Sequence, residues 1–411
     1  MEENLRYAVG IDVGTENVRA VVASINREGV LSVVGYNEAK NSGMRKGVPA
    51  NLAGPADAID KMLGEVERMS GYEIHSAYVS INGAQILTTK TEGMIAVGTI
   101  EHEINEEDLA RVEDVAVSGR IPANREILGV IPIGYSIDEQ DGVKDPIGMT
   151  GARLEMKANV ISALSPNCVN LRRVTEGAKL NAESLVPTAV AAGRAVLDER
   201  QLENGVAVID MGAATTSVAV YEEGDLQYVG VVPAGSNNVT NDLAIMLEIN
   251  TEVADEIKKR YVTGSFSGEK DIVIKVNREE MTFEREKVDE VVRARLEEIF
   301  EKVRKELRKA GYEKRLPEGA VLVGGGAKMR DIEVFAKQVL EMSVKVGVPK
   351  GLGGVSSAVE KAEYATAVGL MLLAAEGGSG KATGRTGKMK KKAKKKSGGG
   401  FFTGLLAKFK I

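Results

Sequence analysis

The stretch Ile11-Asp12-Val13-Gly14-Thr15-Glu16-Asn17 closes one apolar run just before another begins, and 198 positions later Ile209-Asp210-Met211-Gly212-Ala213-Ala214-Thr215-Thr216 does the same. Around the first copy the pattern predicts strands over residues 7–12, 18–24 and 31–36, a helix over 55–69 and a strand over 77–82. Around the second it predicts strands over 206–210, 217–221 and 226–232 and a helix over 238–247. Two similar units at long spacing point to a duplicated α/β domain rather than a solenoid.

A strand that ends in Asp-x-Gly before a glycine turn has two chemical uses. Its carboxylate can hold a hydrated magnesium ion, and the backbone amides of the turn can face phosphate oxygens. One such turn says little, because Asp also starts ordinary Asx-turns. Two in equivalent hairpins predict that the turns grip one polyphosphate and its metal from both sides of a cleft. The candidates are Asp12, Gly14, Thr15 and Asn17 in the first turn, and Asp210, Gly212, Ala213, Thr215 and Thr216 in the second, with Asp12 and Asp210 reaching Mg2+ through water. A third element, Val321-Leu322-Val323-Gly324-Gly325-Gly326-Ala327, joins a strand to consecutive glycines, which permit close approach to a flat ligand or simply a tight corner. Neither a P-loop nor a Rossmann fingerprint stands in the right context.

Composition narrows the classes. At 411 residues the chain is too long for one ordinary core, and 43% hydrophobic with 27% charged residues is ordinary for a globular protein. Cys168 is the single cysteine, so an intrachain disulfide, a Cys-x-x-Cys redox pair and a four-cysteine zinc site are excluded. For His75, His102 and Cys168 the expectation is ordinary packing or exposure. The start of the chain lacks the basic and apolar runs of a secretory signal, and no stretch is long and apolar enough to span a membrane, so membrane contact is expected to be peripheral. The net charge of −5 conceals a partition: eleven of the 54 basic residues and none of the 59 acidic ones fall after residue 376. A basic tail on an acidic body suits an anionic surface and not a nucleic-acid binder.

With the three elements in order, the chain resembles the actin, Hsp70 and sugar-kinase superfamily, whose adenosine loop Gly324, Gly325, Gly326 and Ala327 would match. The resemblance implies ATP with Mg2+, a phosphate-facing role for Arg19, and ribose and adenine contacts from Asp255 and Lys258, a pair that equally suits a solvated helix face. Within the superfamily, Arg125-Glu126-Ile127-Leu128, Lys144-Asp145-Pro146-Ile147-Gly148-Met149-Thr150-Gly151 and Arg153-Leu154 look like the signature of the FtsA family of bacterial cell-division proteins. The fold class it implies is α/β: actin-like duplicated RNase H-type domains, an inserted α+β subdomain called 1C, and a C-terminal amphipathic helix on a flexible linker. The expected division is 1–82 and 165–201 for 1A, 83–164 for 1C, 202–242 for 2A, 243–316 for 2B, 317–376 for the rest of 2A with a closing helix over 359–375, 377–400 for the linker and 401–411 for the helix.

That resemblance also implies partners: the C-terminal peptide of the tubulin-like division protein FtsZ, further copies of the chain in a filament, and other divisome proteins through 1C. Arg293, Arg295 and Lys302 recur at helical spacing over 285–309 and are candidates to meet the acidic FtsZ peptide, or else form a solvated face. Where Hsp70-like proteins place Glu before Pro-Thr-Ala, this chain has Val186, which cannot orient water, so ATP hydrolysis is expected to be slow or absent. Related readings are a PilM-like pilus-assembly scaffold and a small-molecule kinase.

The last eleven residues place Phe401, Phe402, Leu405, Leu406 and Phe409 in one arc of a helical wheel, with Lys408 and Lys410 on its flanks. Seven lysines between Lys388 and Lys396 precede them. A helix this short can only lie in the membrane interface or dock on the protein's own body. With anionic lipid as the partner, the expected location is the cytoplasmic face of the cell membrane at the division site.

Overall fold

The computed structural model describes residues 6–263, 270–276 and 279–377. The membrane-helix candidates Phe401 to Lys410 and the lysine run therefore lie outside the described residues. The chain begins with an antiparallel meander, β1 (Arg6–Val13), β2 (Asn17–Ile25) and β3 (Leu31–Lys40). A short hairpin of β4 (Met44–Arg45) and β5 (Val48–Pro49), helix α1 (Ala53–Ser70) and strand β6 (Ser76–Ile81) follow, with β6 parallel to β1. Val9, Ile11, Val18, Ala20 and Val22 are all buried, and Ile59, Met62 and Val66 recur on one face of α1 to cover the sheet.

The insertion then opens: β7 (Leu87–Ala96), α2 (Glu106–Val117), β8 (Arg125–Ile137), β9 (Gln140–Val143) and β10 (Arg153–Leu164). Its sheet runs β7-β10-β8-β9 and has a small core of its own around Ile104, Val112, Leu154 and Met156. Asn105 caps α2, and His102 bonds Asp108 at 2.8 Å at that cap, which gives the histidine a structural place. Cys168 is buried in the first core.

The first domain resumes with α3 (Ser165–Gly177), β11 (Asn181–Pro187), α4 (Thr188–Val196) and α5 (Glu199–Asn204). The second copy repeats the meander as β12 (Val206–Met211), β13 (Thr216–Glu222) and β14 (Asp225–Val232). Then come α6 (Ser236–Met246), α7 (Thr251–Thr263), the hairpin β15 (Asp271–Val276) and β16 (Glu279–Glu284), and the long α8 (Arg285–Ala310). Strand β17 (Ala320–Val323), α9 (Ile332–Leu340), β18 (Val344–Val346), β19 (Gly353–Gly354) and α10 (Ala365–Glu376) complete it.

The two main sheets have orders β11-β6-β1-β2-β3-β19 and β14-β13-β12-β17-β18. In both, a three-stranded antiparallel meander is extended by parallel strands beside its first strand, the duplicated RNase H-type plan. Helix α10 is apolar all round because it is enclosed by the first sheet and α4. Gly369 lets it approach α4: a Cβ there would overlap the Ala191 carbonyl. The expected helix over 359–375 is shorter than the pattern suggests, starting at Ala365 after a 3-10 turn at Ala362–Tyr364. The Ala362 carbonyl accepts both the Ala365 amide, which closes the 3-10 turn, and the Gly324 amide at 2.9 Å, a tertiary contact at the point where the helix begins.

Glu113 on α2 is fully buried and neither carboxylate oxygen has a hydrogen-bond partner. Burial, with the Asp114 charge beside it, pushes its pKa up to about 7. A carboxyl held neutral in the fold contributes stability that is complete below its ordinary value of 4.5 and is lost as pH rises toward 7. Glu113→Gln is therefore expected to match the parent at about pH 4 and to exceed it at about pH 8 by up to about 3 kcal/mol in urea unfolding. Equal differences at both pH values would show that Glu113 ionises freely in the fold.

Candidate functional site

The meander turns of the two domains face each other across a cleft of about 380 Å³, a size that suits a small-molecule ligand. Asp12, Gly14, Thr15, Asn17 and Arg19 line it from the first domain, and Asp210, Gly212, Ala213, Thr215, Lys258, Gly324 and Gly325 from the second. Four expected residues do not line it. Thr216 turns its hydroxyl into the fold, where it donates to the Ala234 carbonyl at 2.8 Å, because alternation along β13 sends it to the other face from Thr215. Gly326 and Ala327 are buried behind the first two glycines of their loop. Asp255 stands back and instead holds two lysines, Lys258 at 2.8 Å and Lys259 at 2.6 Å.

The two carboxylates are fixed from behind. Ser80 at the end of β6 donates to Asp12 Oδ1 at 2.8 Å while accepting the Val13 amide. Thr366 on α10 donates to Asp210 Oδ2 at 3.4 Å. Gly324 has φ of +86°, and a side chain there would collide with Asp210 Oδ1 and the Met211 carbonyl, so the third loop can close on β12 only as glycine. Burial raises the pKa of Asp12, although Arg19 and Ser80 pull the other way. Burial, then the Asp12 charge, pushes Asp210 up to about 7. A buried acid whose ionisation is opposed by a half-buried acid across the cleft fits a cation between the two. Among the described residues no cluster of three or more His, Cys, Asp or Glu could hold a metal. A cation here must keep water or ligand oxygens in its shell, which is how Mg2+ binds.

Cations at the rim are paired with acids: Arg19 with Glu38 at 3.0 Å, Lys40 with Glu16 at 2.7 Å and Lys328 with Glu363 at 3.0 Å. Arg19 also lies over the Tyr364 ring at 5.7 Å. Lys258 also lines the cleft but is nearly buried, its ammonium held by Thr240 at 2.7 Å and by Asp255 at 2.8 Å. Sequence reasoning missed Ser80, Asn82, Thr188 and Thr366. Thr188 follows Val186-Pro187 and was within reach of a motif reading, whereas Ser80 and Thr366 come from elements joined only by folding. Val186 is buried in β11.

The charged helix differs from a free basic face. Arg295 pairs with Asp242, Nη2 to Oδ1 at 2.8 Å, and with Glu298, which also holds Lys302 at 2.6 Å. Arg293 shares a shallow pocket with Lys270 and Arg285 and with three acids, Glu286, Asp289 and Glu290.

Comparison with known proteins decides the family. The chain is 35% identical over 372 residues to the cell division protein FtsA of Pseudomonas aeruginosa, covering 89% of each chain. This chain belongs to the FtsA family of cell-division proteins. It is 32% identical to the Bacillus subtilis FtsA, covering 91% of this chain and 84% of that one, and 30% identical to the Escherichia coli FtsA, covering 89% and 90%. The family profile for cell division protein FtsA matches residues 207–369, and that for the SHS2 domain inserted in FtsA matches 83–162. Among solved structures the fold is similar to the PilM-PilN type IV pilus biogenesis complex, with TM-score 0.65 and 16% identity over 90% of this chain and 98% of that one. It is also similar to MreB5 of Spiroplasma citri bound to ADP, with TM-score 0.50 and 13% identity over 90% and 95%. These structures share the actin-like fold. Among the described residues no helix is long and apolar enough to cross a membrane.

Proposed function

We propose that this FtsA-family chain binds ATP with Mg2+ in the interdomain cleft, polymerises on the inner face of the cytoplasmic membrane at the division site, and tethers FtsZ there. The observation that carries the nucleotide reading is the opposition of Asp12 and Asp210 across a cleft floored by two amide-bearing turns. The ADP bound by the similarly folded MreB5 supports an adenine nucleotide. Arg19 supplies positive charge to the phosphates, Lys258 contacts the nucleoside, and Mg2+ bound through water to the two carboxylates would neutralise the rest. No acid stands at Val186 to orient water, so hydrolysis is slow or absent.

Filament formation rests on family membership and on the general rule that a repeated head-to-tail contact gives an open polymer. FtsZ recruitment through residues 243–316 rests on the same membership. Of the three basic candidates on α8, Arg295 and Lys302 are already paired within the chain, so an acidic peptide must compete for them and meets Arg293 first. The insertion is the place for other divisome partners, and the tail is the membrane contact. Electron microscopy of the protein on anionic lipid monolayers with ATP and Mg2+ should show ordered filaments. Dispersed particles across a wide concentration range would refute the polymerising role.

A further inference from the structure

Strand β14 is the outer strand of the second domain's sheet, and an outer strand presents unpaired amides and carbonyls. Here the insertion covers that edge. The Val229 amide donates to Thr88 Oγ1 at 2.8 Å, and the same hydroxyl donates to the Val229 carbonyl at 3.0 Å, so one side chain of β7 replaces a strand partner. Asn159 of β10, buried at 1% exposure, donates Nδ2 to the Gln227 carbonyl at 2.9 Å and faces that of Leu226 at 3.4 Å. Lys144, just after β9, reaches Asp225 at 3.1 Å and Glu223 at 3.0 Å. The lysine is half exposed and its pairs contribute little, whereas Asn159 is buried and Thr88 half-buried, so these two grips are better screened from water.

The gripped strand leads straight to the cleft. Beyond β14, the Ser236 and Asn237 amides at the start of α6 donate to the Gly212 and Ala213 carbonyls at 2.9 and 2.7 Å, so the second turn is held by the helix that β14 leads into. A second route starts at Asn82, which lines the cleft and immediately precedes the insertion. Its Nδ2 donates to Thr215 Oγ1 at 3.0 Å, while its Oδ1 accepts from Ser217 Oγ at 3.1 Å and from the Gly83 amide at 2.7 Å.

We propose that the insertion and the second phosphate-facing turn move as one coupled unit, through Asn82 at its root and the Thr88 and Asn159 grip on β14. No residue of the insertion itself lines the cleft among the described residues, so the coupling acts at a distance. Linkage then works in both directions: a polyphosphate that shifts the turn displaces the insertion, and a neighbour bound to the insertion alters the turn. The effect of ATP rests on the nucleotide reading above. The mechanical coupling does not, and can be tested in the free protein.

The experiment is backbone amide exchange, read by mass spectrometry on the full chain and on a Thr88→Val, Asn159→Leu variant, with and without ATP and Mg2+. Removing the grip should raise exchange about fivefold to tenfold across residues 212–217 and 234–237 as well as along β14, the scale of one or two lost hydrogen bonds. Thr88→Ser, which keeps the hydroxyl, should restore the parent rates and so exclude general damage to the fold. In the parent, ATP with Mg2+ should slow exchange in β7 and β10 as well as in the cleft, and in the variant only in the cleft. Faster exchange confined to β14 and the insertion, with the turn segments unchanged, would overturn the coupling whatever the nucleotide does. If the free variant changes as expected but ATP protects no segment of the parent, the coupling stands and the nucleotide reading falls.

Discussion

Asp210→Ala should lower the affinity for ATP with Mg2+ by roughly 100-fold, about 2.7 kcal/mol, in isothermal calorimetry. The argument starts from burial. Asp210 lies between Thr366 and the opposing Asp12, with its pKa raised to about 7. Such a group is costly when charged alone and becomes useful when a cation arrives, so much of its value is spent on the metal. Binding Mg2+ requires the carboxylate, so near and below pH 7 the ion must displace a proton. Parent affinity should therefore fall as pH drops below about 7, by at most tenfold per unit for one proton, and level off above it. Asp210→Asn keeps the shape and removes the charge, so its weaker binding should be flatter across that window. Unchanged affinity in Asp210→Ala would remove the carboxylate from the site.

Phe402→Glu should release the full chain from anionic vesicles at every salt concentration, with vesicle partitioning lowered by about 100-fold or more. If the tail forms the expected helix, its five apolar side chains would contribute a few kcal/mol with about half of their surface buried, at about 25 cal/mol per Å². Lysines near an anionic surface add about 1 kcal/mol each, and that attraction fades within a Debye length of about 8 Å in physiological salt. The two contributions respond differently, which makes them separable. Replacing Lys390, Lys391, Lys392, Lys394, Lys395 and Lys396 by Ser should weaken binding mainly at low salt and on anionic lipid. A Phe402→Glu chain that co-sediments as well as its parent would show that the helix is not the anchor.

Much of the site was legible because its key atoms sit at strand ends. Asp12 and Asp210 follow apolar runs that read as buried strands, and the same turn chemistry recurs after each, so their position was written locally. The departures have local causes as well. Thr216 is already the first residue of β13, one position earlier than the expected start at 217, and its hydroxyl lies on the side of that strand away from the cleft. Asp255 has the helical spacing of a ligand contact but is held back by two lysines of its own helix.

The sequence by itself determined the duplicated architecture, the insertion and about half of the residues around the cleft, since strand alternation, helix period and glycine turns are properties of neighbours along the chain. Tertiary structure alone decided which distant groups complete it: Ser80 behind Asp12, Thr366 beside Asp210, Asn82 across to Thr215, and the Thr88 and Asn159 grip on β14. These are single polar side chains with no periodicity to announce them. Their partners lie 67 to 156 residues away along the chain, and they matter because a buried polar group must find a partner wherever the fold brings one.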